Sequence, residues 1–449
     1  MRDYERQQLP DEQRIVVTGM GGITPVAPDI YRSWDAIIEG QHGIKKISET
    51  FLVKQEGILD IGANVAAPAS EVRLFDDPKL KEHRKELPHN RWHRSAELGF
   101  LAVYHALTDA QLLSEESLSL DSQKIDRFRA GFYLGSTFSG ADELAEIIGI
   151  PADRVRPRNL FKYLPARAAT AAAMPFHLGG PGGLIGEECA SGGSAIRLGV
   201  KELLPYWGHR SDADVMVVGG TDAEISPANL RLFNAIPAVD PTDDPEQASR
   251  PFDEDRNGLV MGEASGALVL ETWEHARKRG VKHWDVRAEL VGIANLTDAE
   301  HETEAAKEGT RRVIEKVLYE AGVRIDETVY INAHGTSTIT GDPIEAEAIQ
   351  EAIINTRLDR KQFWVTSTKG ATGHTMGASG AIEAAFSVMA LRENIVPPAL
   401  KLHNPISEIE GLNLSPLQKT KLKNIDVTIS TSFGFGGTAA ALAFRKFKP

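Results

Sequence analysis

Short runs of β-branched and apolar residues alternate with longer helical patterns along the chain. Residues 14–18 and 132–135 are two such runs, and residues 95–109 between them have apolar positions at helical spacing. Strands that alternate with helices in this way are typical of sheets covered by helices. The pattern therefore predicts an α/β protein.

The chain also repeats one of its patterns. Residues 184–204 and 365–391 each predict a strand followed by a helix rich in glycine and other small residues. Each copy has its own later strand of small apolar residues, at 265–271 and at 438–444. Self-similarity of this kind predicts a duplicated fold. We expect two βαβ-rich halves, residues 10–275 and residues 276–449.

Composition and charge exclude several classes of protein. The 50 Lys and Arg against 63 Asp and Glu give 50 − 63 = −13, which argues against a nucleic-acid or anionic-membrane binder. No stretch approaches the roughly 20 apolar residues that cross a bilayer, and residues 1–8 contain no apolar signal segment. The single cysteine excludes an intrachain disulfide and a multi-thiolate metal site. We expect a cytoplasmic protein without membrane insertion.

One basic cluster interrupts this acidic chain at residues 79–94, KLKEHRKELPHNRWHR. Such a cluster is either a solvated helix face or a docking site for an acidic macromolecule that the rest of the surface repels. The sequence alone leaves both interpretations open.

Cys189 lies at a predicted strand-to-helix turn, before a run of small residues. A thiol at a helix N-terminus is favoured as a thiolate, although a single cysteine is also a common small apolar core residue. His334 and His374 lie in small polar or glycine-flanked segments, and Lys369 precedes His374 by five residues. A cysteine with two histidines at strand–helix turns fits nucleophilic acyl chemistry.

A glycine-rich turn at residues 430–438, STSFGFGGT, adds a candidate oxyanion site, since its backbone amides are free to face a substrate. The alternative is a tight turn without chemistry. Residues 19–22, GMGG, follow the first strand but lack the full spacing of a dinucleotide-binding loop.

These motifs together resemble the β-ketoacyl-acyl-carrier-protein synthases of the synthase II type, in the thiolase-like superfamily. The resemblance covers nearly the whole chain, through VVTGMGGITPV, ECASG, DADVMVVGGTDA, SRPFDEDRNGLVMGEASG, AHGTSTITGD, STKGATGH and SFGFGGT. It implies a thiolase-like α/β fold whose duplicated βαβ-rich halves form a layered α/β/α/β/α core. The first half would carry the nucleophilic cysteine and the second the catalytic histidine pair.

The resemblance also implies a decarboxylating Claisen condensation, in which malonyl-acyl-carrier-protein lengthens an acyl chain by two carbons in fatty-acid elongation. Cys189 would carry the acyl chain, and His334 and His374 would stabilise the enolate. Lys369 matches the lysine that supports the histidines, and Glu345 matches its carboxylate partner. Phe435 matches the gating aromatic, and its amide joins that of Cys189 at the second oxyanion.

Further residues are implied to bind substrate or partner. Thr336 and Thr338 match hydroxyls that hold the pantetheine arm, Phe138 lies at a position that lines the acyl pocket, and Phe233 and Gly434 are further substrate-binding candidates. The basic cluster supplies candidates for docking the carrier protein: Lys81, Arg84, Arg91 and Arg94. The resemblance implies no metal and no cofactor, because phosphopantetheine arrives on the carrier protein. Family members are generally homodimers, with heterodimers as the alternative.

Four positions depart from the family pattern. Glu187 and Glu188 replace small or hydroxylic residues before Cys189, and a carboxylate aimed at the thiol would raise its pKa. Ala439 replaces an asparagine and puts in doubt a cation site built from residues such as Asn332, Glu383 and Ser430. Phe138 replaces a smaller aliphatic residue, which leads to the hypothesis of a shorter or differently shaped acyl substrate.

Three functions therefore remain open. The first is the fatty-acid elongating synthase, and the second is a ketosynthase of a polyketide-type or specialised acyl pathway. The third is a non-catalytic, chain-length-determining partner subunit. Such subunits usually lack the nucleophile, whereas this chain has Cys189, His334, His374 and Lys369 together. A thiolase is disfavoured because it generally needs a second active-site cysteine.

Overall fold

The structure is a computed structural model that describes residues 9–50, 63–70, 74–141, 147–148, 150–206, 210–223, 225–236, 238–301 and 306–449. Residues 1–8, where a signal segment is not expected, lie outside this range. The strands, numbered β1 to β14 in chain order, are Ile15–Ile23, Lys45–Lys46, Val65–Ala66, Ala130–Gly135, Gly182–Ile185, Val215–Asp222, Ala264–Thr272, Ala288–Thr297, Val329–Asn332, Phe363–Thr366, Ile395–Val396, Thr420–Lys421, Val427–Gly434 and Thr438–Arg445.

The α-helices lie mostly between these strands. Their bounds are Ile30–Ile38, Pro78–Glu82, Arg94–Asp109, Pro157–Tyr163, Arg167–Ala173, Ser191–Leu203, Pro227–Ala235, Trp273–Lys278, Lys307–Glu320, Gly341–Asn355, Lys369–Thr372 and Ser379–Glu393. Three short 3₁₀ turns matter for the site: Glu188–Ala190, Met376–Ala378 and Phe435–Gly437. No helix within the described ranges is long and apolar enough to span a membrane.

Ten strands form the main sheet in the order β10-β9-β13-β14-β8-β1-β7-β6-β4-β5. From the centre outwards, β1-β7-β6-β4-β5 and β8-β14-β13-β9-β10 have the same pattern of antiparallel and parallel neighbours. The two sets join only where Ile15, Val16 and Val17 of β1 pair with β8. The predicted duplication within an α/β fold is therefore confirmed.

Side chains on the two faces of each set of strands enter different cores. Along β6, Val215 and Val217 belong to the core beneath helix Arg94–Asp109, whereas Met216 and Val218 face a central core. That central core also contains Ile196 of helix Ser191–Leu203. Alternate strand positions are apolar on both faces, as expected for strands with helices on each side.

The central core contains the two small-residue helices, Ser191–Leu203 and Ser379–Glu393, between the two sets of strands. A third core lies under helices Lys307–Glu320 and Gly341–Asn355. Helix, sheet, helix, sheet and helix layers follow one another, which confirms the predicted layering. The predicted boundary between residues 275 and 276 falls inside helix Trp273–Lys278, between β7 and β8, and stays a prediction.

Candidate active site

Cys189 lies in a sharp turn between β5 and helix Ser191–Leu203. The turn needs a left-handed backbone at Glu188, with φ of +50°. Ser191 fixes it, because its Oγ donates to the Glu188 carbonyl (2.5 Å) and accepts from the Glu187 N–H (2.9 Å). The result places the thiol at the start of the helix with only 8% of the residue exposed.

The Cys189 thiol contacts the imidazole of His374 rather than a charged lysine or arginine side chain. Cys189 Sγ lies 3.0 Å from His374 Nε2, and His374 Nδ1 lies 3.1 Å from Ser379 Oγ. Burial raises the pKa of the Cys189 thiol to about 12, with Lys369 opposing this and Glu188 adding to it. The helix N-terminus was expected to favour a thiolate, but desolvation of the charge dominates here. The structure therefore favours a neutral thiol–imidazole pair.

His334 stands beside His374, with ring centroids 5.2 Å apart and planes at 87°. Both rings are buried, and burial, followed by the charge of Lys369, holds the pKa of each imidazole well below its usual range. Among the described residues, His334 Nδ1 has no hydrogen-bond partner. Two neutral imidazoles thus face one site.

Glu345 fixes the backbone that carries His334. Its Oε1 accepts from His334 N–H (2.8 Å) and from the Thr431 hydroxyl (2.9 Å), and its Oε2 accepts from Gly335 N–H (2.7 Å). Burial raises the pKa of the Glu345 carboxyl, whereas these donors and Lys369 lower it. Glu345 therefore holds the loop after β9 in place.

Lys369 has a different partner from the one the sequence analysis assigned. Its ammonium forms a fully buried ion pair with Glu383, whereas Glu345 binds backbone N–H groups. Burial raises the pKa of Glu383 to about 7, against the opposing effect of Lys369. The prediction of Glu345 as the lysine's partner is wrong because Glu383, on helix Ser379–Glu393, reaches Lys369 across the core.

One cavity of about 500 Å³ joins most of the predicted residues. It is lined by Cys189, His334, His374, Glu345, Phe435, Thr336, Thr338, Phe233 and Gly434, among others. The hydroxyls of Thr336 and Thr338 lie 3.0 Å apart. Lys369 and Phe138 do not line it. Phe138 instead packs edge-on against Phe233, with 5.7 Å between the ring centroids. Phe233 in turn stacks with Phe435, with 6.4 Å between their centroids.

The four basic candidates for docking lie away from this cavity's lining. Arg94 forms an ion pair with the buried Glu263 (2.8 Å), and the guanidinium of Arg84 lies over the ring of Phe75. Arg91 lies over the Phe161 ring in the same way, and Lys81 is exposed. The structure does not bring them together with the catalytic residues, and docking stays a prediction.

The two glutamates before Cys189 point in different directions. Glu187 accepts from the Ser194 hydroxyl (2.6 Å) and from Asn295 Nδ2 (3.2 Å), away from the thiol. Glu188 is an exposed residue whose carboxyl is partly desolvated, which raises the pKa of that carboxyl, and its charge raises the pKa of the Cys189 thiol. Of these two glutamates, Glu188 is therefore the one that opposes ionisation of the Cys189 thiol.

Two residues of the site were missed from the sequence. Ser379, which contacts His374, follows it by five residues at the start of a small-residue helix, and nothing in that pattern singles it out. Asp222 ends β6 and is buried against the loop that carries Phe138. In the described ranges, no group of three or more His, Cys, Asp or Glu side chains could hold a metal ion.

Comparisons with known proteins agree with this geometry. The family models of the β-ketoacyl synthase N-terminal and C-terminal domains match residues 12–276 and 287–403. A 3-oxoacyl-[acyl-carrier-protein] synthase 2 of Synechocystis is 36% identical, over 98% of this chain and 99% of the relative. Its counterpart in Staphylococcus aureus (strain COL) is 32% identical, over 98% of this chain and 100% of the relative.

A solved ketosynthase has a closely similar fold. It was determined with its type II polyketide acyl-carrier protein and a bound hexaketide, and it superposes with a TM-score of 0.81 at 24% identity. The alignment covers 97% of this chain and all of that one.

Proposed function

The chain belongs to the β-ketoacyl synthase family, and from this premise we propose how its cavity carries out the family's reaction. It is an acyltransferase of the 3-oxoacyl-[acyl-carrier-protein] synthase type, a condensing enzyme of fatty-acid elongation. The observation that carries the assignment of residues is the contact of 3.0 Å between Cys189 Sγ and His374 Nε2, in a cavity that His334 also lines.

Acylation of Cys189 is the first step. The thiol loses its proton to the neutral imidazole of His374 while sulfur attacks the thioester of an acyl-carrier-protein. The pantetheine thiolate leaves and takes the proton, so that the acyl chain is transferred and the imidazole is neutral again. Because the thiol and the imidazole are already in contact, this proton moves without rearrangement.

Decarboxylation of malonyl-carrier-protein is the second step. Burial keeps His334 and His374 neutral, so each ring has one N–H to donate to the thioester oxygen, and His374 does so in the tautomer that carries its proton on Nε2. Loss of carbon dioxide leaves an electron pair that delocalises onto this oxygen as an enolate. Fixed donors in a water-poor site stabilise such a charge far more than water does.

Carbon–carbon bond formation completes the reaction. The enolate carbon attacks the acyl carbonyl on Cys189, and the backbone amides of Cys189 and Phe435 hold the resulting oxyanion. Collapse of this intermediate releases the 3-oxoacyl chain two carbons longer and the Cys189 thiolate, which takes up one proton from solvent. Phe435 is suited to this because Gly436, with φ of +73°, lets the turn expose its amides.

The carrier protein's pantetheine arm would reach Cys189 through the cavity. Thr336 and Thr338 line this path, and their hydroxyls can bind the amide groups of the arm. The acyl-carrier-protein is thus the expected partner. We expect no resident cofactor or metal, since the thioester and the carbon dioxide leaving group supply the driving force.

The acyl side of the site is narrow. Phe138, Phe233 and Phe435 pack in a row beside Cys189, and Phe138 is not part of the cavity wall. This arrangement supports a shorter or differently shaped acyl substrate. It also keeps the polyketide-type or specialised pathway as the second candidate, whereas the presence of all four catalytic side chains disfavours a non-catalytic partner subunit.

Two further properties are expected. β5 is an edge strand whose described neighbour is β4, and exposed Phe128 contacts Gly179 just before it. An apolar sheet edge supports association with a second copy of the chain, as a homodimer. A cytoplasmic location is expected because the catalytic thiol must stay reduced.

Mass spectrometry tests the proposal directly. The protein is incubated with acyl-carrier-proteins of graded chain length, with Cys189→Ala as control, and malonyl-carrier-protein is then added. We expect a mass gain on the wild type that the variant lacks, followed by release of a chain two carbons longer. An unmodified Cys189 across the whole series would contradict the proposed function.

A further inference from the structure

Corresponding loops in the two halves each donate two consecutive backbone N–H groups to a buried carboxylate. Two residues after β9 ends, His334 and Gly335 donate consecutive backbone N–H groups to the buried Glu345. Two residues after β4 ends, Thr137 and Phe138 donate consecutive N–H groups to the buried Asp222. In the sheet, β4 and β9 occupy matching places in their halves. Asp222 therefore holds the loop that carries Phe138 in the same way that Glu345 holds the loop that carries His334.

Asp222 also binds the second half. Its Oδ1 accepts from the Ser136 hydroxyl (2.5 Å) and Phe138 N–H (3.3 Å), and its Oδ2 accepts from Thr137 N–H (2.8 Å) and Gly377 N–H (2.7 Å). Gly377 lies in the 3₁₀ turn that follows His374. One carboxylate thus joins the end of β6, the loop after β4 and the turn beside a catalytic histidine.

The contact between these segments leaves no spare room. A Cβ added to Gly377 would lie 2.7 Å from Asp222 Oδ2 and 2.8 Å from the Ser136 Cα. Backbone therefore packs directly on backbone here, and a shift of one segment is transmitted to the other.

No cation in the described part of the chain pairs with Asp222, and its four donors are neutral. Its charge also adds to the raised pKa of the Cys189 thiol, so it does not activate the nucleophile. A buried carboxylate without a counter-ion is costly unless hydrogen bonds satisfy it. This carboxylate therefore fixes the relative positions of the segments that it joins.

Each of the two segments that Asp222 joins places a side chain in the apolar cluster around Cys189. Phe138 and Met376 belong to the apolar cluster that contains Cys189, Phe233 and Met261. Phe138 N–H is bound to Asp222 directly, and Met376 precedes the bound Gly377. Phe138 packs against Phe233, which lines the cavity, so the position of Phe138 limits how far Phe233 can yield to an acyl chain beside the thiol.

We infer that Asp222 is a positioning residue that fixes Phe138, behind Phe233, against the Met376–Gly377 turn and thereby sets which acyl chains Cys189 accepts. The inference rests on the proposed function, since it concerns acyl transfer to Cys189. It adds a residue that acts through Phe138 rather than by contact with substrate.

Asp222→Asn tests the inference. An asparagine side chain has only one acceptor oxygen. If that oxygen accepts from Thr137 and Gly377 N–H, the side-chain NH₂ group takes the place of Oδ1. Phe138 N–H then loses its acceptor. Acylation rates are measured on the full-length protein with acyl-carrier-proteins of graded length, together with thermal unfolding. We expect the rate ratio between the best and the worst accepted chain to change about tenfold, because small displacements at a reacting centre have large effects.

Two further variants make the result decisive. Ser136→Ala removes one donor to Asp222 Oδ1 and should fold normally while shifting the chain-length profile in the same direction, by less. Asp253→Asn is the control, because Asp253 is a buried carboxylate that accepts the N–H groups of His403, Asn404 and Asp255, and also pairs with Arg250, outside the cavity lining. We expect it to lose stability without a change in profile.

The outcomes separate the two ideas. A wild type that is acylated normally, with Asp222→Asn and Ser136→Ala giving parallel profiles, would overturn the inference and leave the proposed function intact. A wild type that no acyl-carrier-protein modifies would overturn the proposed function, and the inference with it.

Discussion

The two halves build the same turn and use it differently. In the first half, Glu188 has φ of +50° and is followed by Cys189, Ala190 and the helix from Ser191. In the second, Met376 has φ of +49° and is followed by Gly377, Ala378 and the helix from Ser379.

The difference between these turns is chemical. The turn of the first half places the Cys189 thiol at the cavity, whereas the turn of the second half donates the Gly377 N–H to Asp222. The second half contributes its reactive groups, His334 and His374, from neighbouring loops instead. In the proposed mechanism one half supplies the nucleophile and the other the oxyanion donors, and changes in each half should therefore affect different steps.

The largest effect is expected from Cys189→Ala, which removes the nucleophile of the first half. Acyl transfer should be abolished, because no other cysteine is present. Decarboxylation of malonyl-carrier-protein should persist, since His334 and His374 remain. Intact-mass analysis and carbon dioxide release measure the two steps separately, and simultaneous loss of both in a folded protein would refute the division of labour.

Changing the second half should have the converse effect. His334→Ala removes one enolate donor and should slow decarboxylation on the order of 10²–10³-fold. Acylation should fall much less, because His334 does not contact the thiol, whereas His374 does. Single-turnover acylation measures the first step, and carbon dioxide release measures decarboxylation. His374→Ala is the comparison, and it should impair both steps.

Removal of Lys369 should destabilise the second half. Lys369→Met leaves the Glu383 carboxylate buried without its partner, and breaking such a pair typically costs about 3–5 kcal/mol. The free energy of unfolding in denaturant measures this loss. The double variant Lys369→Met with Glu383→Leu should recover much of it, and equal stability of the single variant and the wild type would contradict the role of the ion pair.

A smaller effect is expected at the aromatic row of the first half. Phe138→Val removes the ring that packs against Phe233 and should raise acylation with longer chains about tenfold relative to short ones. Acylation kinetics across chain lengths test this. A wild type that already prefers long straight chains would contradict the hypothesis of a narrow pocket.

The smallest effect is expected from the carboxylate beside the nucleophile. Glu188→Gln removes a negative charge that raises the pKa of the Cys189 thiol, so that pKa should fall and acylation should become faster at a given pH. Because Glu188 is exposed, water and salt screen the charge, and we expect about a threefold change that shrinks at high salt. The pH dependence of thiol alkylation measures it, and Glu187→Gln, whose carboxylate points away, should leave it unchanged.

Much of the site could be identified from the sequence because its residues lie in short, ordered motifs. Cys189, His334 and His374 belong to three such segments, and the structure places all three in one cavity. The partner of Lys369 could not be identified in this way. Glu345 lies 24 residues before Lys369 and Glu383 lies 14 residues after it, and only the packing of helix Ser379–Glu393 shows which one reaches it.

The sequence by itself determined the α/β class and the duplication and singled out the candidate reactive side chains, since these depend on local periodicity, on residue types at turns and on the ordered family motifs. Only the tertiary structure decided that burial keeps the Cys189 thiol neutral beside His374, and that Glu188 rather than Glu187 opposes its ionisation. It also decided that Asp222 joins segments from both halves. Burial and long-range hydrogen bonds depend on which segments meet in space, and residue spacing along the chain does not specify this.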